Sequence, residues 1–119
     1  MNINEEFEQL ERLTGIPVFP DEADTEEDTY IVLTYAAEHP ELSGDDSVYA
    51  DTAVLYVSLY TDMAVDHMQW KEYIRDYLEE LDMCVVTDIR TMVEDFKTNA
   101  NSVKQKRRTI FTIEITRWR

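Results

Sequence analysis

Glycine is nearly missing from this chain: among 119 residues there are two, Gly15 and Gly44. That excludes glycine-rich phosphate loops, which need several clustered glycines to bring backbone N–H groups close to a ligand. Cys84 is the only cysteine, so no intrachain disulfide can form, as fits a reducing compartment. His39 and His67 are the only histidines. With one thiol, and far apart in sequence, they do not make the three or four clustered ligands of a zinc site. No apolar run approaches the ~20 residues of a bilayer-spanning helix. Met1-Asn2-Ile3-Asn4-Glu5-Glu6 lacks the basic start and apolar stretch of a secretory leader. The expectation is a soluble protein made and held in a cytoplasm.

Basic residues are scarce too, and their placement is uneven. Residues 1–60 hold 15 acids against Arg12 alone, a formal −14. Residues 96–119 hold seven bases against Glu114 alone, a formal +6. The whole chain stands at −15. Such a molecule repels nucleic acid over most of its surface, while an acidic body and a basic end attract another copy head to tail. A hydrophobic content of 44% argues for a folded chain despite that charge. The length fits a single domain spanning residues 1–119.

Ile3, Phe7, Leu10 and Leu13 recur at helical spacing behind Asn2 or Asn4 as cap, and Gly15 ends that helix. Ile16 to Pro20 is extended by its two prolines. Residues 21–29 form an acidic, self-repelling loop without the central glycine of a calcium-binding loop. Tyr30 to Ala36 reads as a strand and His39 to Val48 as a second polar loop. Tyr49 to Tyr60 is the clearest strand, with Leu55, Val57 and Leu59 inward and Val54, Tyr56, Ser58 and Tyr60 outward.

Asp66 and Gln69 have capping-box spacing ahead of a helix whose buried stripe is Trp70, Ile74, Tyr77, Leu78 and Leu81. Met83 to Glu94 alternates as a strand, with a short helix over residues 88–96 as the rival. Cys84, beside Met83 and Val85, reads as a buried structural thiol. Residues 97–104 resemble a hairpin loop, and Thr109 to Trp118 closes as a strand with Phe111, Ile113 and Ile115 inward. The order predicts an α+β fold: a mostly antiparallel or mixed sheet of four to five strands, with two main helices on one face.

No cluster of residues suits catalysis, a metal or a cofactor, so surface recognition is the expectation. The basic run Lys104-Gln105-Lys106-Arg107-Arg108 has no interleaved aromatic platform for nucleic acid. It is expected at a hairpin tip, pairing with the acidic loop of a neighbouring copy. Candidate contact residues are Glu38, His39, Leu42, Val48 and Tyr49 of loop 38–49, Tyr56 and Tyr60 of the outward strand face, and Lys104, Lys106, Arg107 and Arg108.

A pattern over nearly the whole chain carries a resemblance. Thr14-Gly15-Ile16-Pro17-Val18 follows a short helix, then come Tyr30-Ile31-Val32-Leu33-Thr34-Tyr35, a polar loop ending at Val48-Tyr49, and a strand ending Ser58-Leu59-Tyr60-Thr61-Asp62. A helix with Tyr73-Ile74 and Tyr77-Leu78-Glu79 and a last pair of strands follow. This resembles the small tail-completion or tail-terminator proteins of long-tailed phages and prophages of Gram-positive bacteria. The resemblance implies a non-catalytic virion subunit that assembles in the host cytoplasm. Such a subunit forms a homo-oligomeric ring, often a hexamer, which caps the tail tube protein and meets the head connector. Acid excess leaves a different class open, a small DNA-mimicking inhibitor of a host nuclease or DNA-binding protein. A head-completion protein is a further alternative.

Overall fold

A computed structural model of the chain describes residues 3–23, 25, 27–42, 48–97 and 103–118, with side chains described outside 38–51, 97 and 117–118. Apolar residues at helical spacing set α1, Ile3–Thr14, which buries Phe7 and Leu10. Gly15 ends it with φ +72°, its N–H donating to the Glu11 carbonyl at 2.8 Å. An L side chain is strained there, although nothing lies within 4 Å of where a Cβ would sit. Gly15→Ala is therefore expected to cost about 1 kcal/mol by backbone strain alone, read from the urea midpoint.

After Gly15 the chain forms β1, Val18–Pro20, and then the long β2, Thr29–Leu42, and β3, Val48–Asp62. Helix α2 is His67–Glu79, and β4, Cys84–Lys97, and β5, Val103–Trp118, follow. The five strands make one mixed sheet in the order β1-β2-β3-β5-β4. Only β1 and β2 run parallel, and the other pairs are antiparallel. The α+β architecture is the one the sequence predicts, with Val18–Pro20 taken into the sheet as an edge strand, where the N–H that Pro20 lacks is tolerated.

Alternation sorts the sheet into two faces. Ile31, Leu33, Leu55, Val57, Leu59, Phe111, Ile113 and Ile115 meet Phe7 and Leu10 of α1 and Ile74 and Leu78 of α2 in one core. Both helices therefore cover the same face, and the Tyr77 hydroxyl ties them by donating to the Glu6 carbonyl at 2.7 Å. The α2 stripe is as predicted: Ile74 and Leu78 are buried, with Trp70, Tyr77 and Leu81 packed at the margin. Asp66 caps α2, but its carboxylate accepts from the Met68 N–H at 3.2 Å rather than from Gln69. Asn4 lies inside α1, whose first residue is Ile3, and Asn2 lies outside the described residues.

Two predicted loops shorten. The expected loop over His39 to Val48 is shorter, because β2 continues to Leu42 and β3 begins at Val48. Residues 43–47 lie outside the described residues. Lys97, Val103 and Lys104, expected in a hairpin loop, are strand residues, and the Asn99-Ala100-Asn101-Ser102 stretch lies outside the described residues. Residues 88–96 are strand, so alternation and β-branching outweigh the helical rival. One register shift between Val86 and Asp88 changes the phase of β4. Val86 and Ile89 then pack on the core while Val85 is 60% exposed. Cys84 begins the strand and is buried, and burial pushes its thiol up to about 11.

Candidate interaction face

Among the described residues, no helix lies on the second face of the sheet. Strand by strand it presents Phe19, then Tyr30, Val32 and Thr34, then Val54, Tyr56, Ser58 and Tyr60. It continues with Lys104, Lys106, Arg108, Ile110, Thr112 and Glu114 of β5 and Asp88, Arg90, Met92, Glu94 and Phe96 of β4. Because the side-chain period is two, the even-numbered members of 104–108 fall here and Arg107 falls on the other face.

One end of this face is a closed aromatic and ionic cluster. Tyr30 and Tyr60 are cross-strand partners and stack with ring centroids 4.9 Å apart. Phe19 meets Tyr30 edge-on at 6.3 Å, and Phe96 meets Tyr60 edge-on at 5.9 Å. Two cations lie over these rings, Lys106 Nζ 5.0 Å from the Tyr30 centroid and the Arg108 guanidinium 5.4 Å from that of Tyr60. Such contacts favour the cation most where water is excluded. Burial raises both tyrosine hydroxyls above their ordinary range, for Tyr30 with a further push from Tyr60 and for Tyr60 against the Arg108 charge.

Lys106 is the centre of the ionic part. It is 6% exposed, and its ammonium donates to Asp62 Oδ1 at 2.8 Å and to the Glu27 carbonyl at 3.1 Å. Lys104 Nζ reaches the other Asp62 oxygen at 3.0 Å. Burial works against the Asp62 carboxylate, but hydrogen bonds from Lys106 and Lys104 outweigh it and hold its pKa at about 2. Arg108 donates to Glu94 Oε1 at 2.8 Å and to Ser58 Oγ at 3.1 and 3.2 Å. The Asp62 N–H donates to the Asp28 carbonyl at 3.0 Å. The end of the acidic segment is thereby fastened to the basic strand of the same chain.

This corrects the expected position and partners of the basic run. Lys104, Lys106, Arg107 and Arg108 sit within β5 and not at a hairpin tip, and the strand runs on to Val103. Lys106 and Arg108 are matched internally, so the expected pairing with a neighbouring copy's acidic loop is not needed to satisfy them. Glu94, opposite Lys106, and Asp62, at the end of β3, are the partners that sequence reasoning passed over. Tyr56 and Tyr60 share the helix-free face as predicted; Tyr56 is 40% exposed, whereas Tyr60 belongs to the closed cluster. Glu38, His39 and Leu42 fall in β2 and Val48 and Tyr49 in β3, with side chains outside the described residues.

On the helix-bearing face, Arg107 Nη1 lies 3.0 Å from His67 Nδ1. Arginine is always the donor, so Nδ1 accepts and the ring is neutral. Burial lowers the His67 pKa, and the charges of Arg107 and Lys71 lower it further. A histidine depressed in the folded state stabilises it fully above its unfolded pKa near 6.5, and that stability is lost as pH falls. His67→Gln is therefore expected to flatten the acid side of the stability–pH curve below pH 6.5, measured by urea unfolding from pH 7.5 to 5. An unchanged slope would place the titration elsewhere.

Compared with family models and with curated proteins, the chain matches none. Among the described residues no group of three or more His, Cys, Asp or Glu is placed to hold a metal ion. An apolar cleft of about 320 Å³ lies between α1 and β1, floored by Phe7, Val18 and Leu33 and edged by Glu8 and Glu11. The Glu11 carboxylate already accepts from the Val18 N–H at 3.2 Å, so the cleft offers little free polar chemistry. No helix among the described residues is long and apolar enough to cross a membrane.

Proposed function

We propose that this chain is a structural assembly subunit without catalytic activity, a tail-terminator or tail-completion protein of a long-tailed phage or prophage. It would act in the virion, after assembly in the host cytoplasm, as a ring at the head-proximal end of the tail tube. The observation that carries the reading is the pair of long hairpins that overrun the helix-covered core in opposite directions. The β2–β3 hairpin turns beyond Leu42↔Val48, and the β4–β5 hairpin turns beyond Lys97↔Val103 at the other end of the sheet. The result is a body 59 Å long but only 27 by 21 Å across. A subunit placed between a tube and a connector needs to reach both, and an elongated body fits that need.

Among the described residues the sheet has two edges without a further strand, which supports side-by-side packing. β1 covers β2 only at Ile31–Leu33, which leaves the β2 edge open beyond it, and β4 has a partner on one side only. Heterologous contacts of this kind close into rings when the rotation permits. Light scattering on a sizing column, at low and high salt and with assembled tail tubes, tests the reading. Ring-sized particles or capture at tube ends is the expected result. A chain that ignores tubes at every salt would overturn it.

A further inference from the structure

The helix-free face as a whole, closed cluster included, has its own electrical character. Its strand residues with described side chains include four bases, Arg90, Lys104, Lys106 and Arg108, and four acids, Asp62, Asp88, Glu94 and Glu114. The face is neutral on a chain of −15. The negative charge lies elsewhere: α1 and α2 carry seven acids against three bases, and segment 21–28 carries six acids and no base. Beyond the Tyr30–Tyr60 row three exposed charged side chains, Asp88, Arg90 and Glu114, stand among apolar and hydroxyl-bearing residues. Tyr56 is 40% exposed, Met92 39% and Val85 60%, among half-buried Val54, Ile110, Thr34 and Thr112.

We infer that this face docks a second copy of the chain, sheet against sheet, with the helices outward. Charge, spacing and size all select that occupant. A two-fold interface must be self-complementary, and a neutral face with both signs and an exposed Arg90–Asp88 pair meets that condition. Electrostatic distance comes next. Taking about 10 Å per layer, stacking two sheets holds the two acidic helix layers ~30 Å apart, several times the ~8 Å screening length at physiological salt. Docking through the helices would instead bring the acids within ~10 Å of each other.

The last argument is size. Outward from Tyr60, four paired strands run about ten residues, a footprint of roughly 20 by 33 Å, or ~650 Å² before side-chain relief is counted. A stable interface needs about 800 Å² per partner, so relief of ordinary side chains closes the difference. The strands of the two sheets would align within about 30°.

This inference does not depend on the tail reading, and its test separates the two. Sedimentation velocity of the full chain at about 100 µM, well above a micromolar Kd, is expected to show a particle of twice 14.1 kDa. That particle persists as salt is raised, because a neutral face gains little from ion pairing. The double variant Tyr56→Lys/Met92→Lys is expected to weaken the dimer at least ~100-fold by burying two unpaired charges. Its circular dichroism stays that of the parent, since both side chains are exposed. Tyr73→Lys, 42% exposed on α2, leaves the dimer intact. A monomeric parent, a dimer indifferent to the double variant, a dimer broken by Tyr73→Lys, or a face taken by an unlike protein would each overturn the inference.

Discussion

Phe111→Ala is expected to lower stability by about 3–5 kcal/mol, the range for truncating a buried aromatic ring. Phe111 is fully buried on β5, between Val57 of β3 and Ile89 of β4, beneath both helices. Neighbours on rigid strands collapse poorly into the space it leaves, so the cavity cost adds to the lost transfer energy. Against a total of about 5–15 kcal/mol for a small domain, this is about a fifth of the margin or more. Urea unfolding followed by circular dichroism would show the midpoint fall, and the melting temperature would drop by about 10–20 °C. Ile110→Ala, one residue earlier but half-buried on the helix-free face, should cost about 1 kcal/mol. Equal costs at 110 and 111 would contradict a core confined to one face.

Lys106→Met should cost about 2–4 kcal/mol, because it takes the better-buried of two cations from the partly buried Asp62 carboxylate. Methionine keeps an apolar stem over Tyr30 but removes the bonds to Asp62 and to the Glu27 carbonyl. Lys104→Met, whose side chain is 46% exposed, should cost under about 1 kcal/mol. The pH dependence reports on the Asp62 carboxylate that both lysines hold. Asp62 ordinarily titrates near 3.8 and is held at about 2 in the fold. A depressed carboxylate contributes stability that is present above 3.8 and lost as pH falls through about 2. The parent should therefore lose stability across that window, and Lys106→Met should lose much less. Faster amide exchange at Asp62, whose N–H bonds the Asp28 carbonyl, would report release of the acidic segment. An unchanged exchange rate would show that the segment is held by other contacts.

The elements legible in the sequence were those with unbroken period. Leu55-Val57-Leu59 and Phe111-Ile113-Ile115 alternate cleanly, and the α2 stripe keeps its helical spacing, so their burial could be read directly. The far halves of the hairpins were harder. Pro40, Glu38 and Glu41 look like loop chemistry, yet backbone pairing with β3 from Glu38↔Ala53 to Glu41↔Ala50 carries the strand through them. Pairing is a property of two segments, and local propensity describes one. The β4 phase change at Val86/Asp88 is of the same kind, since a bulge is visible only against the partner strand. For the candidate face, Tyr56 and Tyr60 were legible from alternation. Asp62, Glu94 and the Glu27 carbonyl were not, because only the β3–β5–β4 register brings them to Lys106 and Arg108. Charge segregation along the chain was plain, while its internal settlement was hidden until the strands were placed.

The order β1-β2-β3-β5-β4 has a consequence for synthesis. The strand that fills the gap between β3 and β4 is the last of the five to leave the ribosome. From Met63 to Trp118 is 56 residues, which at ~5–20 residues per second takes roughly 3–11 s. For that time β3 has one unsealed edge, and Leu55, Val57 and Leu59 lack their β5 partners. A nascent chain in that state invites chaperone capture or pairing with the same strand of a neighbour on the polysome. A pause in translation after α2 would prolong the danger, and a faster passage through β4 and β5 would shorten it.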